Sequence, residues 1–309
     1  MIDPDFFGCS GKLSFEETWR LASGEDGRGP AGDYSVSQAY GEVITSIDRV
    51  HRCAKDWDSF ARIALNHAFG DVICAGARPF HVMLSFEFGI DTPANERKVC
   101  SEAFAATLNA KGIALGKCHS SLTGGVTAVT ISTMAVSPSM HTPALDRGIL
   151  CLSRPIGAFK LHYLQQLGID TSGSPLSSIL EADPNPDFHS QHWSHLTDVS
   201  GHGLIGAVAT AARLYGLDVE LELSPMVAIS ADVLTTPVEC LQNPISSYDL
   251  DFDGHPVEAL TLLTLRETAG PYLGFLEDAG QAKEIAADRG VMIGRYQRGA
   301  GGVKLSWQE

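Results

Sequence analysis

The chain has 309 residues and a formal charge of −15 at pH 7, with 37 acidic against 22 basic side chains. That balance argues against a broad phosphate-binding surface for DNA or RNA, yet it tolerates a nucleotide whose phosphates are masked by metal ions. A chain of this size exceeds the usual single domain, so two domains are expected.

The seven cysteines, Cys9, Cys53, Cys74, Cys100, Cys118, Cys151 and Cys240, form no Cys-x-x-Cys pair and lie mostly in apolar segments. Free thiols in a reducing, cytoplasmic compartment are expected from this usage. No apolar run reaches the ~18 residues needed to cross a bilayer. The start Met1-Ile2-Asp3-Pro4-Asp5 lacks the basic and apolar regions of a signal peptide. Neither export nor membrane contact is expected.

Residues 1–32, with the glycine-rich and charged run Ser23 to Gly32, read as a mobile arm around a short helix. Gly41 to Ile47 reads as a strand ending at Asp48, and Asp58 to Ala75 as a helix with apolar spacing through Phe60, Ile63, Ala64 and His67. A strand over His81 to Phe88 follows, then an amphipathic helix over Asn95 to Lys111. Next come the short segment Gly112 to Leu115 and a β-branched strand over Val126 to Val136. Pro138 and Pro143 mark a linker, which divides the chain into domains of 33–142 and 143–309. The second half opens with a strand over Gly148 to Ser153 and a helix over Phe159 to Leu167. After an irregular stretch come a glycine turn, a helix over Gly203 to Tyr215 and a strand over Asp218 to Leu223. Leu260 to Leu265 reads as a strand, Gly280 to Arg289 as a helix and Val291 to Tyr296 as a final strand. An α/β, or α+β, two-domain protein results.

The chemistry centres on Thr197-Asp198-Val199-Ser200-Gly201-His202-Gly203-Leu204, a carboxylate directly before a glycine turn that opens a helix. Such a turn lets the backbone approach phosphate, and the acid suits a metal. Asp33, Asp48 and Asp71 each flank an apolar run where folding brings distant residues together. Two carboxylates about 4 Å apart repel by ~4 kcal/mol at an effective dielectric near ~20, so a converging set implies a bound cation or raised pKa values.

Gly201-x-Gly203-x-x-Gly206 with Asp218 formally matches a dinucleotide fingerprint. It is rejected because Phe188 to His195 does not read as the buried strand that fingerprint requires. His189, His192 and His195 recur every three residues, but the segment is a weak helix former without a cysteine ligand, so a zinc site is set aside. Gly8-Cys9-Ser10-Gly11-Lys12 places an ammonium three residues from a glycine-flanked thiol, which favours thiolate. Asp71, amid apolar neighbours, needs a partner or a cation, and Arg78 is the alternative partner.

Taken in order, these segments resemble the selenophosphate synthetase branch of the aminoimidazole ribonucleotide synthetase superfamily. The resemblance rests on Gly8-Cys9-Ser10-Gly11-Lys12, Gly32-Asp33-Tyr34-Ser35-Val36, Ser46-Ile47-Asp48 and His67-Ala68-Phe69-Gly70-Asp71. It continues through Gly116-Lys117-Cys118-His119-Ser120, Thr197 to Leu204 and Glu267-Thr268-Ala269-Gly270. His67 stands where that branch has asparagine, and Ser121 to Gly125 replaces an acidic, proline-rich segment.

The resemblance implies a homodimer whose N-terminal sheets form a shared barrel, each flanked by an α+β C-terminal domain, with ATP between domains. It implies Mg2+ held by Asp33, Asp48, Asp71 and Asp198. Nucleotide contacts would come from Lys12, Asp48, His67, Asp71, Gly116, His119, Ser120, Gly201 and Gly203. Cys9 and Lys12 would be catalytic, and the implied reaction converts ATP, selenide and water to selenophosphate, AMP and phosphate. Another ATP-dependent member, such as a small-molecule kinase, a synthase or a thiophosphate-forming enzyme, and a silent nucleotide-binding paralogue are the alternatives.

Overall fold

The computed structural model describes residues 35–37, 43–136, 145–172, 179, 193–243, 254–277 and 290–308. Cys9, Lys12, Asp33, His189, His192, the proline linker and the expected helix over 280–289 lie outside them. Within this set the fold is mixed α/β, with two sheets and six α-helices.

The first sheet comprises β1 (Ser35–Ser37), β2 (Val43–His51), β3 (Arg78–Gly89), β4 (Ala114–Thr123) and β5 (Ala128–Val136), in spatial order β1-β2-β5-β3-β4. Only β3 and β4 pair in parallel. The second comprises β6 (Arg147–Leu152), β7 (His195–Asp198), β8 (Leu217–Leu223), β9 (Tyr272–Leu276), β10 (Val291–Arg298) and β11 (Val303–Trp307). Its order is β11-β8-β10-β6-β9-β7, with β8 and β11 parallel. The helices are α1 (Trp57–Cys74), α2 (Ala94–Ala110), α3 (Ala158–Gln166), α4 (Gly203–Tyr215), α5 (Ala231–Thr235) and α6 (Val257–Thr264).

Helix α1 positions everything that follows. Asp56 caps it by accepting the Ser59 backbone N–H at 2.7 Å, satisfying one of the donors a helix start leaves open. Fifteen of its residues are buried, so it lacks the polar stripe of a surface helix. The reason is its place: α1 packs on β2, β5 and α2 on one side and on β7 of the second sheet on the other. Phe60 of α1 and Phe86 of β3 both meet Phe104 of α2 edge-on, with ring centroids 5.5 and 5.2 Å apart, the arrangement aromatic quadrupoles favour.

Several expectations are corrected. Leu260 to Leu265 is not a strand but lies mostly in α6. Pro256 starts that helix, and Thr264 Oγ1 bonds back to the Leu260 carbonyl at 2.8 Å, as a helical threonine does. Asp48 sits within β2 opposite Ile131, not at a strand end. Strand β4 runs through Thr123 rather than stopping near Leu115, so Gly116 to Thr123 is an exposed edge strand. With neither face well covered, it shows no apolar alternation to read. Strand β9, buried at every position, likewise carries no period-two signal.

Candidate functional site

Strand β2 alternates its side chains, so buried Ile44, Ser46 and Val50 face α1 while Ile47 is 69% exposed on the opposite face. Asp48 shares the inward side with Ser46. From α1, His67 and Asp71 stand one turn apart and meet this pair. The Ser46 hydroxyl donates to Asp71 Oδ2 at 2.5 Å and lies 3.5 Å from Asp48 Oδ2, while His67 Nε2 is 3.7 Å from Asp48 Oδ1. Asp71 therefore takes Ser46, and Arg78 is exposed at the start of β3.

The second half supplies the other wall. Strand β7 ends at buried Asp198, in register with Tyr272 of β9. This edge closes on α1 at Gly70, where even a Cβ would make only ordinary contact, 3.5 Å from Asp198 Oδ2 and 3.7 Å from the Tyr272 ring. A small cleft between the halves is lined by Asn66, His67, Gly70, Asp198, Ala269, Gly270 and Tyr272. Burial pushes the Tyr272 phenol well above its ordinary pKa, and the nearby Cys74, Asp198 and Asp71 push the same way. Asp198 thus lines this cleft, and Asp71 of α1 lies near enough to Tyr272 to act on the same phenol.

The turn after α6 completes it. Glu267 N–H bonds to the Ser200 carbonyl, and Val199 N–H to the Pro271 carbonyl at 2.8 Å. Between them, Ala269 adopts φ 53°, a left-handed conformation costly for a residue with a Cβ. Its N–H donates to His67 Nδ1 at 3.4 Å, and the Arg154 guanidinium donates to its carbonyl. Gly270 has no room for a side chain, because a Cβ would lie 2.0 Å from the Val199 carbonyl oxygen. The buried Glu267 carboxyl accepts from the N–H groups of Gly157 at 2.5 Å and Phe159 at 3.3 Å, so it caps α3. It is a framework group beneath the cleft.

Among the described residues, no three His, Cys, Asp or Glu side chains are grouped closely enough to enclose a cation by themselves. Magnesium does not require such a cage. It is usually held through one or two carboxylates, with substrate phosphates and water completing an oxygen shell. The hard oxygen donors of Asp48, Asp71 and Asp198 fit that pattern.

Other expected site residues lie elsewhere. Gly116, His119 and Ser120 are on β4, three strands from β2, about 14 Å at a spacing of ~4.8 Å. Within this chain they do not reach the carboxylates. Gly201 and Gly203 do sit in the turn after Asp198. Gly203, however, has φ 70° and is packed on the end of α6, where a Cβ would be 2.8 Å from the Leu263 carbonyl oxygen. Packing accounts for this glycine without a ligand.

A strand does lead into Gly201, contrary to expectation. It is an antiparallel edge strand, so the dinucleotide fold still fails, for want of parallel pairing. His195 packs edge-on to Tyr215 at 4.8 Å and near Phe275, and burial lowers its pKa to about 4. Arg154 and Tyr272 escaped the sequence reading, and Ser46 and Ala269 lay within the segments that carried the resemblance but were given no role. For Ser46 a signal existed, since it lies two residues from Asp48 on one strand.

Residues 32–139 match the family model described as AIR synthase related protein, N-terminal domain. The solved structure of thiamine monophosphate kinase from Aquifex aeolicus aligns with TM-score 0.65 and 13% identity over 95% of this chain and 96% of that one. A structure described as AaThiL complexed with AMPPCP and TMP aligns with TM-score 0.67 and 14% identity, over 94% of this chain and 91% of that one. E. coli HypE, a hydrogenase maturation protein, aligns with TM-score 0.58 and 19% identity, over 88% and 85%. No curated protein matches by sequence. The chain therefore shares the overall fold of these solved structures, and its residues 32–139 match the AIR synthase related N-terminal domain. No helix among the described residues is long and apolar enough to cross a membrane.

Proposed function

We propose that this chain is an ATP-dependent phosphotransferase that works with magnesium. The observation that supports the reading is that Ser46 reaches both Asp48 and Asp71 in the first half, while Asp198 of the second half faces Gly70, the neighbour of Asp71, across a small cleft. Phosphoryl transfer needs positioning and charge stabilisation more than covalent help from the protein. Magnesium, when bound, would neutralise the phosphate oxygens and those acids. Ser46 orients Asp71 through its hydroxyl, and the Ala269–Gly270 turn limits water access beside Asp198.

For the acceptor, selenide is supported by Gly8-Cys9-Ser10-Gly11-Lys12, where a thiol and an ammonium suit a chalcogen nucleophile and a transferred phosphoryl. A small-molecule kinase is the second reading, supported by the departures at His67 and at Ser121 to Gly125. We also propose a homodimer joined through the first sheet, whose outer face exposes Ile47 and Val136. The test is phosphorus NMR of purified protein with Mg-ATP alone, with selenide and with thiamine monophosphate. Selenide-dependent release of AMP supports the first acceptor, and ADP formed only with the organic phosphate supports the second. No ATP binding or consumption under any condition overturns the proposal.

A further inference from the structure

Ala269 is the one described non-glycine residue with positive φ, and such a conformation persists only where its surroundings over-determine it. Two groups do so from opposite sides. His67, on the helix that leans on the first sheet, accepts the Ala269 N–H at Nδ1, and Arg154, just past β6 of the second sheet, donates to the Ala269 carbonyl. An imidazole that accepts at Nδ1 while neutral must carry its proton on Nε2. That nitrogen stands 3.7 Å from Asp48 Oδ1, too long for a hydrogen bond but close enough for its N–H dipole to be drawn to the carboxylate.

The turn passes this constraint onward. Gly270 is pressed against the Val199 carbonyl, and the Pro271 carbonyl accepts the Val199 N–H. Val199 follows Asp198 directly, so a line of contacts runs from Asp48 through His67 and the turn to Asp198.

We infer that His67 is a positioning residue: as the Nε2–H tautomer it ties the Ala269–Gly270 turn to Asp48, setting the spacing between the carboxylates of the two halves. It serves the nucleotide by holding the cleft rather than by touching the phosphates, and this consequence rests on the Mg-ATP reading above. Asparagine at this position keeps an acceptor near the place of Nδ1 but nothing at Nε2. Glutamine reaches toward Nε2 and loses the acceptor.

The experiment combines nitrogen NMR of 15N-histidine-labelled full-length protein with hydrogen exchange of the peptide spanning residues 266–271, read by mass spectrometry. Wild type should show His67 as the neutral Nε2–H tautomer. Exchange at Ala269 should rise about fivefold to tenfold in His67→Ala and His67→Gln, the factor expected for one lost hydrogen bond, and stay near wild type in His67→Asn. Titration with Mg-ATP should rank affinity as wild type, then His67→Asn, then His67→Ala.

An Nδ1–H tautomer, or unchanged exchange in His67→Ala, overturns the inference. If His67→Ala fails to fold, the wild-type tautomer and the contrast between His67→Asn and His67→Gln decide it. If wild type binds no Mg-ATP, the nucleotide reading falls while the tautomer and exchange results still judge the positioning role.

Discussion

Glu267→Gln isolates a buried charge beneath the cleft. Glu267 is fully buried, and burial pushes its carboxyl up from 4.5 to about 7, against the opposing pull of the Gly157 N–H, Arg154, the Phe159 N–H and Lys160. The folded protein therefore keeps a proton that the unfolded chain has released between pH 4.5 and about pH 7. Stability contributed by this group is full below pH 4.5 and is lost as pH rises through about 7. At about 1.4 kcal/mol per pH unit, the whole window is worth about 3 kcal/mol. Glutamine has the same shape and never ionises. It keeps the bond from Gly157 and turns an amide toward the Phe159 N–H, a loss of about 1 kcal/mol that does not depend on pH.

The variant should thus be less stable than wild type near pH 4.5 and more stable near pH 7.5, in urea unfolding followed by tryptophan fluorescence. Lys160, lowered to about 8 from 10.5 by burial and held up in part by Glu267, loses its proton toward the upper end of this range, so the slope is read between pH 4.5 and about pH 6.5. A stability difference that stays flat across the range, or that slopes the other way, refutes the reasoning and means that Glu267 is ionised in the fold.

If Asp198 is a magnesium ligand as proposed, Asp198→Ala should cut Mg-ATP turnover more than about 100-fold and remove the thermal shift produced by Mg-ATP. Normal turnover in that variant contradicts the metal assignment. Gly270→Ala forces a Cβ to 2.0 Å from the Val199 carbonyl oxygen, so it should lower stability by more than about 3 kcal/mol or yield insoluble protein. Phe104→Ala, which removes the ring shared by Phe60 and Phe86, should cost about 3–5 kcal/mol in urea unfolding while leaving ATP specificity unaltered. Cys9→Ala should spare nucleotide binding measured by calorimetry and reduce any selenide-dependent product; equal product from both proteins removes Cys9 from the chemistry.

Periodicity located α1, α2, α3 and α4 and strands β2, β3, β5, β6, β8 and β10 within a few residues, because each carries its own hydrophobic pattern or cap. It failed where the pattern reports the environment and not the backbone. Strand β4 is exposed, β9 is buried throughout, and α6 is a short apolar segment that periodicity cannot tell from a strand.

The acids Asp48, Asp71 and Asp198 were legible as candidates because a carboxylate beside an apolar run demands a partner whatever the fold. The resemblance grouped them, but how they are spaced was not legible. Their spacing depends on α1 being buried between two sheets and on Gly70 of α1 facing Asp198 at the end of β7, a contact between residues more than a hundred positions apart. The same holds for the left-handed Ala269 and its two supports, His67 and Arg154. Local sequence fixes a backbone preference and a side-chain chemistry, whereas the distance between two charges is set by packing, and only the tertiary structure supplied it.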